Sequence, residues 1–396
     1  MFKHLKIVLK LTTFIIIAIG FVSKAWSVDP EEFTKRLQHE LESSSISLTY
    51  DETTSDGNDI ILKNVKLNLD KNTYPIFDID TLKFENVSED DEKNYKTEKV
   101  YIPLLKNNNG DTTIDIKEIT LENIYLTSEE NTNIILDLMP VGRFTIGEFK
   151  ATENLKPVAT IQGINVVNTL QNDQSVLNTA FNIQKYDYPF EENTSEPTIN
   201  FLKTLGYTQF SGALDWNINT NLNTGEVNND KLLLTLDDMG ALNLTFHING
   251  FTKELIKDAL TLQKSVFNKN VDENALMLAQ IGFLQQIEIK ELQIAYHDDS
   301  LTGRILDGQA KDKGMSRSDF VAQIKMFLPL IATQIQHPEF VKNTTEQLGK
   351  YLDNPQSLIV SAKPETPVTS ALISTLAATE PAKLVDVLNI TIEANK

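Results

Sequence analysis

The sequence predicts an α+β fold: a large, curved antiparallel β-sheet with kinked strands, plus packed helices in the C-terminal third. Three observations support this prediction. From Ile46 to about Gly250, apolar residues mostly alternate with polar ones, which is the side-chain period of a strand. Clusters of Asn, Asp and Gly separate the alternating runs, as turns do. After Gly250 the apolar residues change to helical spacing.

Residues 1–27 have the three regions of a secretory signal peptide. A lysine-rich start precedes an apolar run over 11–22, and the small residues Ala25 and Ser27 suit a cleavage site. The run is shorter than the roughly 20 apolar residues that a membrane-spanning helix requires. We therefore expect a cleaved leader and a periplasmic protein, in preference to an N-terminal inner-membrane anchor.

Charge and cysteine content exclude several classes of function. Removal of residues 1–27 takes away four lysines and no acids, which changes the formal net charge from −19 to −23. Such an acidic chain repels phosphate backbones, so we expect no nucleic-acid partner. The chain has no cysteine, which excludes disulfides, thiol nucleophiles and zinc–thiolate sites.

The remaining chain divides by its pattern into two regions. Residues 28–250 are predicted to hold an N-terminal helix and the β-rich curved sheet. The helix begins after Asp29, and Phe33, Leu37 and Leu41 form its apolar stripe. Residues 251–396 are predicted to be a helix-rich α+β region that completes the sheet.

One local pattern predicts kinks in the strands. Near Asp80, Lys117, Gly147 and Lys290, two polar or small residues stand between apolar ones where strict alternation has one. The extra residue turns the apolar side chains to the other face of the sheet, so the strand must bulge or bend there. Kinked strands curve a sheet and give it a concave side. We expect that side to form an apolar groove lined by Leu82, Phe84, Ile119, Leu121, Phe149 and Leu292.

Individual elements follow from the same patterns. Residues 210–250 are predicted to form a three-stranded meander. Ser316 and Asp319 form a capping box that begins a later helix. Residues 390–392 form a terminal strand that is too short to stand alone, so it must pair with the sheet.

The segment 296–301 brings together a histidine, two acids and a serine. A hydrolase site is one interpretation. The members of a catalytic triad meet across space, however, and neighbours along a strand point to opposite faces, so His297 and Asp298 cannot aim at one nucleophile. A turn that ends a strand is the preferred interpretation. With no metal-binding or nucleotide-binding motif elsewhere, the sequence assigns no catalytic, cofactor-binding or metal-binding residue.

A structural motif is predicted just beyond this strand. Asp298, Ser300, Arg304 and Gly314 lie in a strand–turn–helix, and Asp298 or Asp299 is placed to pair with Arg304 and cap the helix. We expect the motif to dock helices on the sheet.

The same motif carries a resemblance. Residues 296–304 with Ala310 and Gly314, together with the ending over 354–358, 363–364 and 367–368, resemble exported proteins of unknown function from alphaproteobacteria. More distantly, the leader, the first helix and the kinked strands resemble AsmA-like envelope proteins. That resemblance implies a curved sheet with an apolar groove and a link to phospholipid movement between membranes. It supplies no catalytic residue.

Three functions follow, in order of preference. The first is a non-enzymatic periplasmic protein that binds or transfers a lipid or another hydrophobic ligand in the groove. The second is a structural or protein-interaction module whose partners are envelope proteins. The third is a secreted hydrolase. The sequence assigns neither the ligand nor the oligomeric state.

Overall fold

The computed structural model describes residues 28–43, 46–68, 76–128, 136, 139, 141–171, 175–192, 194–267, 281–332 and 335–396. The predicted leader, with Ala25 and Ser27, lies outside these residues. The 17 strands within the described ranges belong to one large antiparallel sheet, so the predicted fold class is confirmed. The chain divides into two compact units, residues 1–174 with 178–189 (unit 1) and residues 175–177 with 190–396 (unit 2).

Unit 1 consists of one described helix and most of the strands. Helix α1 spans Pro30–Ser43. The strands are β1 Ser47–Thr49, β2 Glu52–Asp56, β3 Asp59–Asn68, β4 Ile76–Glu85, β5 Ser88–Glu89, β6 Tyr95–Asn109, β7 Thr112–Leu126, β8 Val141–Glu153, β9 Lys156–Gln171 and, mostly in this unit, β10 Val176–Pro189. Both β1 and β2 pair with β3, and the pairing then runs β3–β4–β6–β7–β8–β9–β10, with β5 on β6.

Helix α1 covers the core of unit 1 with the predicted apolar stripe. Asp29 Oδ1 accepts a hydrogen bond from the backbone N–H of Glu31 at 2.9 Å, which caps the first turn. The ring of Phe33 is 1% exposed and lies edge-to-face on Phe84 and Tyr95, with ring centroids 5.1 and 5.5 Å away. The predicted helix and its inward face are therefore confirmed.

Near Asp80, the predicted kink lies opposite a residue in the left-handed region of the neighbouring strand. In β4, Asp80 and Thr81 are both exposed between buried Ile79 and Leu82. Opposite them, Asn64 of β3 has φ +51°. Paired residues on either side keep the same register. Both strands therefore make the same irregularity at the same level, so their apolar faces stay together.

A longer row of irregularities crosses four strands. The register places Pro103 of β6, Glu118 of β7, Gly147 of β8 and Gly163 of β9 side by side. Glu118 has φ +54° and Gly163 has φ +63°. At Gly147 an added Cβ would stand 3.0 Å from the Glu118 Cβ. The kinks predicted at Lys117 and Gly147 are thus one shared line across the sheet.

Unit 2 contains a second set of strands and most of the helices among the described residues. The strands are β11 Gln209–Asn221, β12 Glu226–Leu236, β13 Gly240–Asn249, β14 Glu288–Asp298, β15 Ser357–Ala362, β16 Val368–Thr369 and β17 Ile390–Ala394. The helices are α2 Pro197–Thr204, α3 Lys253–Phe267, α4 Leu301–Asp312, α5 Arg317–Ala332, α6 Pro338–Asp353, α7 Ser370–Thr379 and α8 Pro381–Val387. Pairing runs β11–β12–β13–β14–β15–β17, with β16 on β14.

Several predicted features of unit 2 are confirmed. Strands β11 to β13 form the meander, and terminal β17 pairs with β15. The Ser316 hydroxyl accepts from the Asp319 N–H at 3.1 Å and so caps the helix as predicted, while the Asp319 carboxylate lies 2.7 Å from the same hydroxyl rather than on the Ser316 N–H. The kink near Lys290 is a bulge, because His247 pairs with Glu291 while the next residue, Ile248, pairs with Ile289.

The division into units falls near residue 190, whereas the sequence pattern changes at Gly250. The reason is strand pairing: β13 pairs with β14, and β14 pairs with β15. These ladders hold the meander in the same unit as the C-terminal helices. The change at Gly250 marks where helices begin.

The kink row yields a prediction for stability. Gly163→Ala must place a side chain at φ +63° and 2.3 Å from the Gln184 side chain, whereas Gly57→Ala has a similar φ, +61°, in open space. We expect Gly57→Ala to lower the free energy of unfolding by about 1–2 kcal/mol, the cost of the left-handed conformation. Gly163→Ala is expected to cost more. Urea unfolding monitored by circular dichroism measures both, and equal losses would contradict close packing at the row.

Candidate functional site

The predicted groove residues of unit 1 are core. Leu82, Phe84, Ile119 and Phe149 are 7, 5, 4 and 1% exposed and belong to one buried cluster, and Leu121 packs against it. They cannot line an open groove, so this part of the groove prediction is wrong. The physical reason is that matched kinks let neighbouring apolar faces close on each other and on α1. The sixth residue, Leu292, lies in unit 2 on a different surface.

That surface is one face of the unit 2 sheet, which we call the apolar face. Two neighbouring rows cross it in register, the first over six strands and the second over five. The first row is Trp216, Leu232, Leu244, Ile294, Val360 and Ile392. The second is Leu214, Leu234, Leu242, Tyr296 and Leu358, and Phe246 and Leu292 extend the face on β13 and β14. At about 4.8 Å between strands, the first row is roughly 24 Å long and the second roughly 19 Å.

The apolar face is half-open to solvent. Leu242, Ile294 and Val360 are 42, 43 and 37% exposed, and the other residues of the two rows are only partly buried. The opposite face of the same strands is polar: Lys231 pairs with Asp215 at 2.5 Å, and Gln293 donates to the Ser361 hydroxyl at 3.1 Å. One face of this sheet is apolar and the other is polar, as in a sheet that packs its apolar face against a core. Here, however, the apolar face is partly exposed to water.

The motif residues lie at one end of this sheet, where α4 begins. The Asp298 carboxylate accepts from the Thr302 N–H at 2.8 Å and so caps the first turn of α4. The Tyr296 hydroxyl lies 2.8 Å from the same carboxylate. Burial, followed by this hydrogen bond, raises the pKa of Tyr296 above its ordinary value. The Ser300 hydroxyl donates to the backbone oxygen of Asp238 in the β12–β13 turn.

Arg304 joins α4 to the segment between α2 and β11. Its guanidinium lies over the Tyr207 ring, 4.3 Å from the centroid, and donates to the backbone oxygen of Leu205 at 3.3 Å. The guanidinium thus stacks on Tyr207, where the sequence suggested Asp298 or Asp299 as its partner. Gly314, at φ +67°, follows α4, and the Met315 N–H returns to the Ala310 carbonyl to close the helix end.

The histidine, acids and serine of segment 296–301 occupy positions that serve the packing and capping of α4. Exposed His297 and half-buried Asp298 are successive residues of β14, so their side chains leave on opposite faces. Ser300 is held against the Asp238 carbonyl and lies 3.0 Å from the Tyr207 hydroxyl. These residues are not brought together as a nucleophile and its base. Within the described residues, no cluster of His, Asp and Glu is arranged to hold a metal ion.

Sequence reasoning did not find Tyr207 and Leu205 as parts of this motif. They lie about 100 positions before Arg304, and no local pattern links them to it. The sequence also does not predict that the apolar face is exposed to solvent. Alternation shows which face of a strand is apolar, but it does not show which distant element covers that face. In the sequence, Leu242, Leu244 and Phe246 indicate only one apolar face of a strand in the predicted meander.

A second titratable contact joins α6 to α8. His337 caps α6 through Nδ1, which accepts from the Phe340 N–H at 3.1 Å, and its Nε2 lies 2.9 Å from Asp386. The hydrogen bond to Asp386 raises the pKa of His337 above its ordinary value.

Comparison with known proteins adds little beyond the fold. A family model described as an uncharacterized protein matches residues 233–395. No curated protein matches the chain. Within the described residues, no helix combines the length and the apolar character needed to cross a bilayer. The matched segment begins within β12 and contains both the motif and most of the apolar face.

The Arg304–Tyr207 contact is testable by a double-mutant cycle. Tyr207→Leu and Arg304→Met each remove the stacking while keeping much of the apolar volume. Because Tyr207 is buried, we expect a coupling energy of about 1–2 kcal/mol in the free energy of unfolding, toward the upper range for a cation–π contact. Chemical denaturation of the two single variants and the double variant measures it. Strictly additive losses would show that the stacking contributes nothing.

The His337–Asp386 contact predicts a pH dependence of stability. Because the folded-state pKa of His337 is raised, its contribution is fully present below the unfolded-state pKa of about 6.5 and is lost as pH rises through the folded-state value. Asp386→Asn should therefore destabilise the protein more near pH 5.5 than near pH 8.5, measured by thermal unfolding. Asp353→Asn, which breaks the Lys325 ion pair at 2.7 Å, is the control and should show no such difference between these pH values. An Asp386→Asn effect equal at both pH values would contradict the assignment.

Proposed function

We propose that the chain is a non-enzymatic envelope protein that binds a lipid through its acyl chain on the apolar face of unit 2. The observation that carries this proposal is the exposure of Leu242, Ile294 and Val360 in the middle of a continuous apolar surface. Large exposed apolar patches on soluble domains mark ligand or partner sites, because leaving such area in water is costly.

The dimensions of the apolar face suit an acyl chain. The two rows are roughly 24 and 19 Å long, whereas the acyl chains of one leaflet span about 15 Å, half of the hydrocarbon core. The side chains along the first row, from Trp216 to Ile392, carry no charge. An extended hydrocarbon lying across the strands would contact successive branched and aromatic side chains. The predicted signal peptide and the resemblance to AsmA-like envelope proteins support the envelope location and the lipid class.

The second candidate, a protein-interaction module, would use the same surface with an apolar protein segment. It differs in what it requires: a protein partner must supply matching backbone or side-chain contacts. The lipid proposal needs only apolar contact along the rows. A direct binding measurement with a lipid probe therefore separates the two.

Trp216 supplies an intrinsic probe of the apolar face. The chain has two tryptophans, and the other, Trp26, is in the predicted leader. We expect a brominated fatty acid or brominated phospholipid to quench Trp216 fluorescence saturably, since the bromine atoms would lie along the row that contains it. Trp216→Phe should remove the quenching.

A pair of variants places the binding on one face. Val360→Lys puts a charge into the first row of the apolar face. Thr391→Lys puts the same charge at an exposed position of the neighbouring strand, on the opposite face of the sheet. We expect Val360→Lys to weaken binding by about tenfold, because a bound acyl chain would desolvate the ammonium. Thr391→Lys should bind like the original chain. Absence of quenching, or equal weakening by both variants, would refute the proposal.

A further inference from the structure

Helix α5 exposes three large apolar side chains. Met326, Phe327 and Leu330 are 69, 49 and 67% exposed. Leu330 is four residues after Met326 and three after Phe327, so the three share one side of the helix. The first half of α5 carries Phe320 and Val321, which are 8 and 5% exposed and pack in a core cluster with Leu306 and Ala310 of α4. The helix is therefore anchored through its first half, and its second half presents apolar side chains to solvent.

The composition of this segment departs from that of the rest of the chain. Acids make up 55 of 396 residues, yet none occurs between Asp319 and Glu339. The segment contains one lysine, Lys325, which pairs with Asp353 of α6 at 2.7 Å, so this contact adds no net charge. On a chain of net charge −19, an anionic or zwitterionic membrane surface can approach here without meeting acids on the helix itself.

We propose that the exposed side of α5, formed by Met326, Phe327 and Leu330, docks on a phospholipid bilayer. Large apolar side chains exposed on a helix can enter the boundary between headgroups and acyl chains while the helix lies in the plane of the interface. The helix has 16 residues, about 24 Å at 1.5 Å per residue, and only its second half is apolar outward. It therefore rests on the membrane surface. The Lys325 stem can extend toward the headgroups as the apolar side chains enter. None of the three residues belongs to the apolar face, and docking through them would bring the protein to the membrane that holds the lipid of the proposed function.

The absence of cysteine allows a local test on the full chain as recovered from the cell envelope. Gln323→Cys lies on the exposed side one turn before Phe327 and can be labelled with an environment-sensitive fluorophore of the nitrobenzoxadiazole type. Adding vesicles of phosphatidylcholine, alone or mixed with phosphatidylglycerol, should shift its emission to the blue in both cases. Leu155→Cys, at a residue 94% exposed in unit 1, should show no shift.

The apolar side chains are then removed in the labelled background. Met326→Gln with Leu330→Gln should lower the vesicle partition of the label signal by about tenfold or more, the loss expected for two large apolar side chains. Both positions are largely exposed, so the unfolding temperature should stay the same. Quenching of Trp216 by a monomeric brominated fatty acid should also persist, which distinguishes failure of membrane docking from failure of acyl-chain binding.

Three outcomes would overturn the proposal. The first is an unchanged emission of the Gln323→Cys label although the chain floats with vesicles, which would place contact elsewhere, for example at the leader. The second is a blue shift that survives Met326→Gln with Leu330→Gln. The third is a shift without vesicles that rises with protein concentration and is accompanied by dimers in sedimentation, which would assign the surface to a second copy of the chain.

Discussion

The two-residue side-chain period of a β-strand is the constraint on which the rest of the structure depends. An extra residue in one strand sends all later apolar side chains to the wrong face. Unit 1 meets this constraint by repeating the irregularity in neighbouring strands at the same level, as at Asn64 with Asp80 and along the row from Pro103 to Gly163. Unit 2 meets it differently, with a bulge at Lys290. In both units the apolar faces stay continuous across the sheet.

Continuity of an apolar face has opposite results in the two units. In unit 1 the face is closed by α1 and by its own Phe and Leu side chains, so that Ile116 and Leu62 are fully buried. In unit 2 a face of similar composition leaves Ile294 and Leu242 more than two-fifths exposed. Burial of apolar area drives folding, and a face left half-open retains part of that driving force for a ligand. The difference between the two faces lies in what covers each of them.

Polar interactions in this protein position elements and contribute modestly to stability. Many of its ion pairs join exposed side chains, such as Lys66 with Asp78, and such pairs are worth little each. The contacts around α4 are more buried: Asp298 caps the helix, Ser300 ties it to the β12–β13 turn, and Arg304 stacks on Tyr207. These contacts fix the start of α4 at one end of the unit 2 sheet.

Much of the fold was determined by the sequence alone, because local rules act on neighbouring residues. Strand alternation, the stripe of α1, the capping box at Ser316 and the kinks at Asp80 and Lys290 all follow from side-chain period and hydrogen-bonding chemistry within a few residues. Tertiary structure alone decided the rest. Phe84 and Phe149 became core while Ile294 and Val360 remained exposed, although all four look alike in sequence. Burial depends on which distant element packs on a face. The stacking of Arg304 on Tyr207 likewise joins residues 97 positions apart, and only the folded chain brings them together.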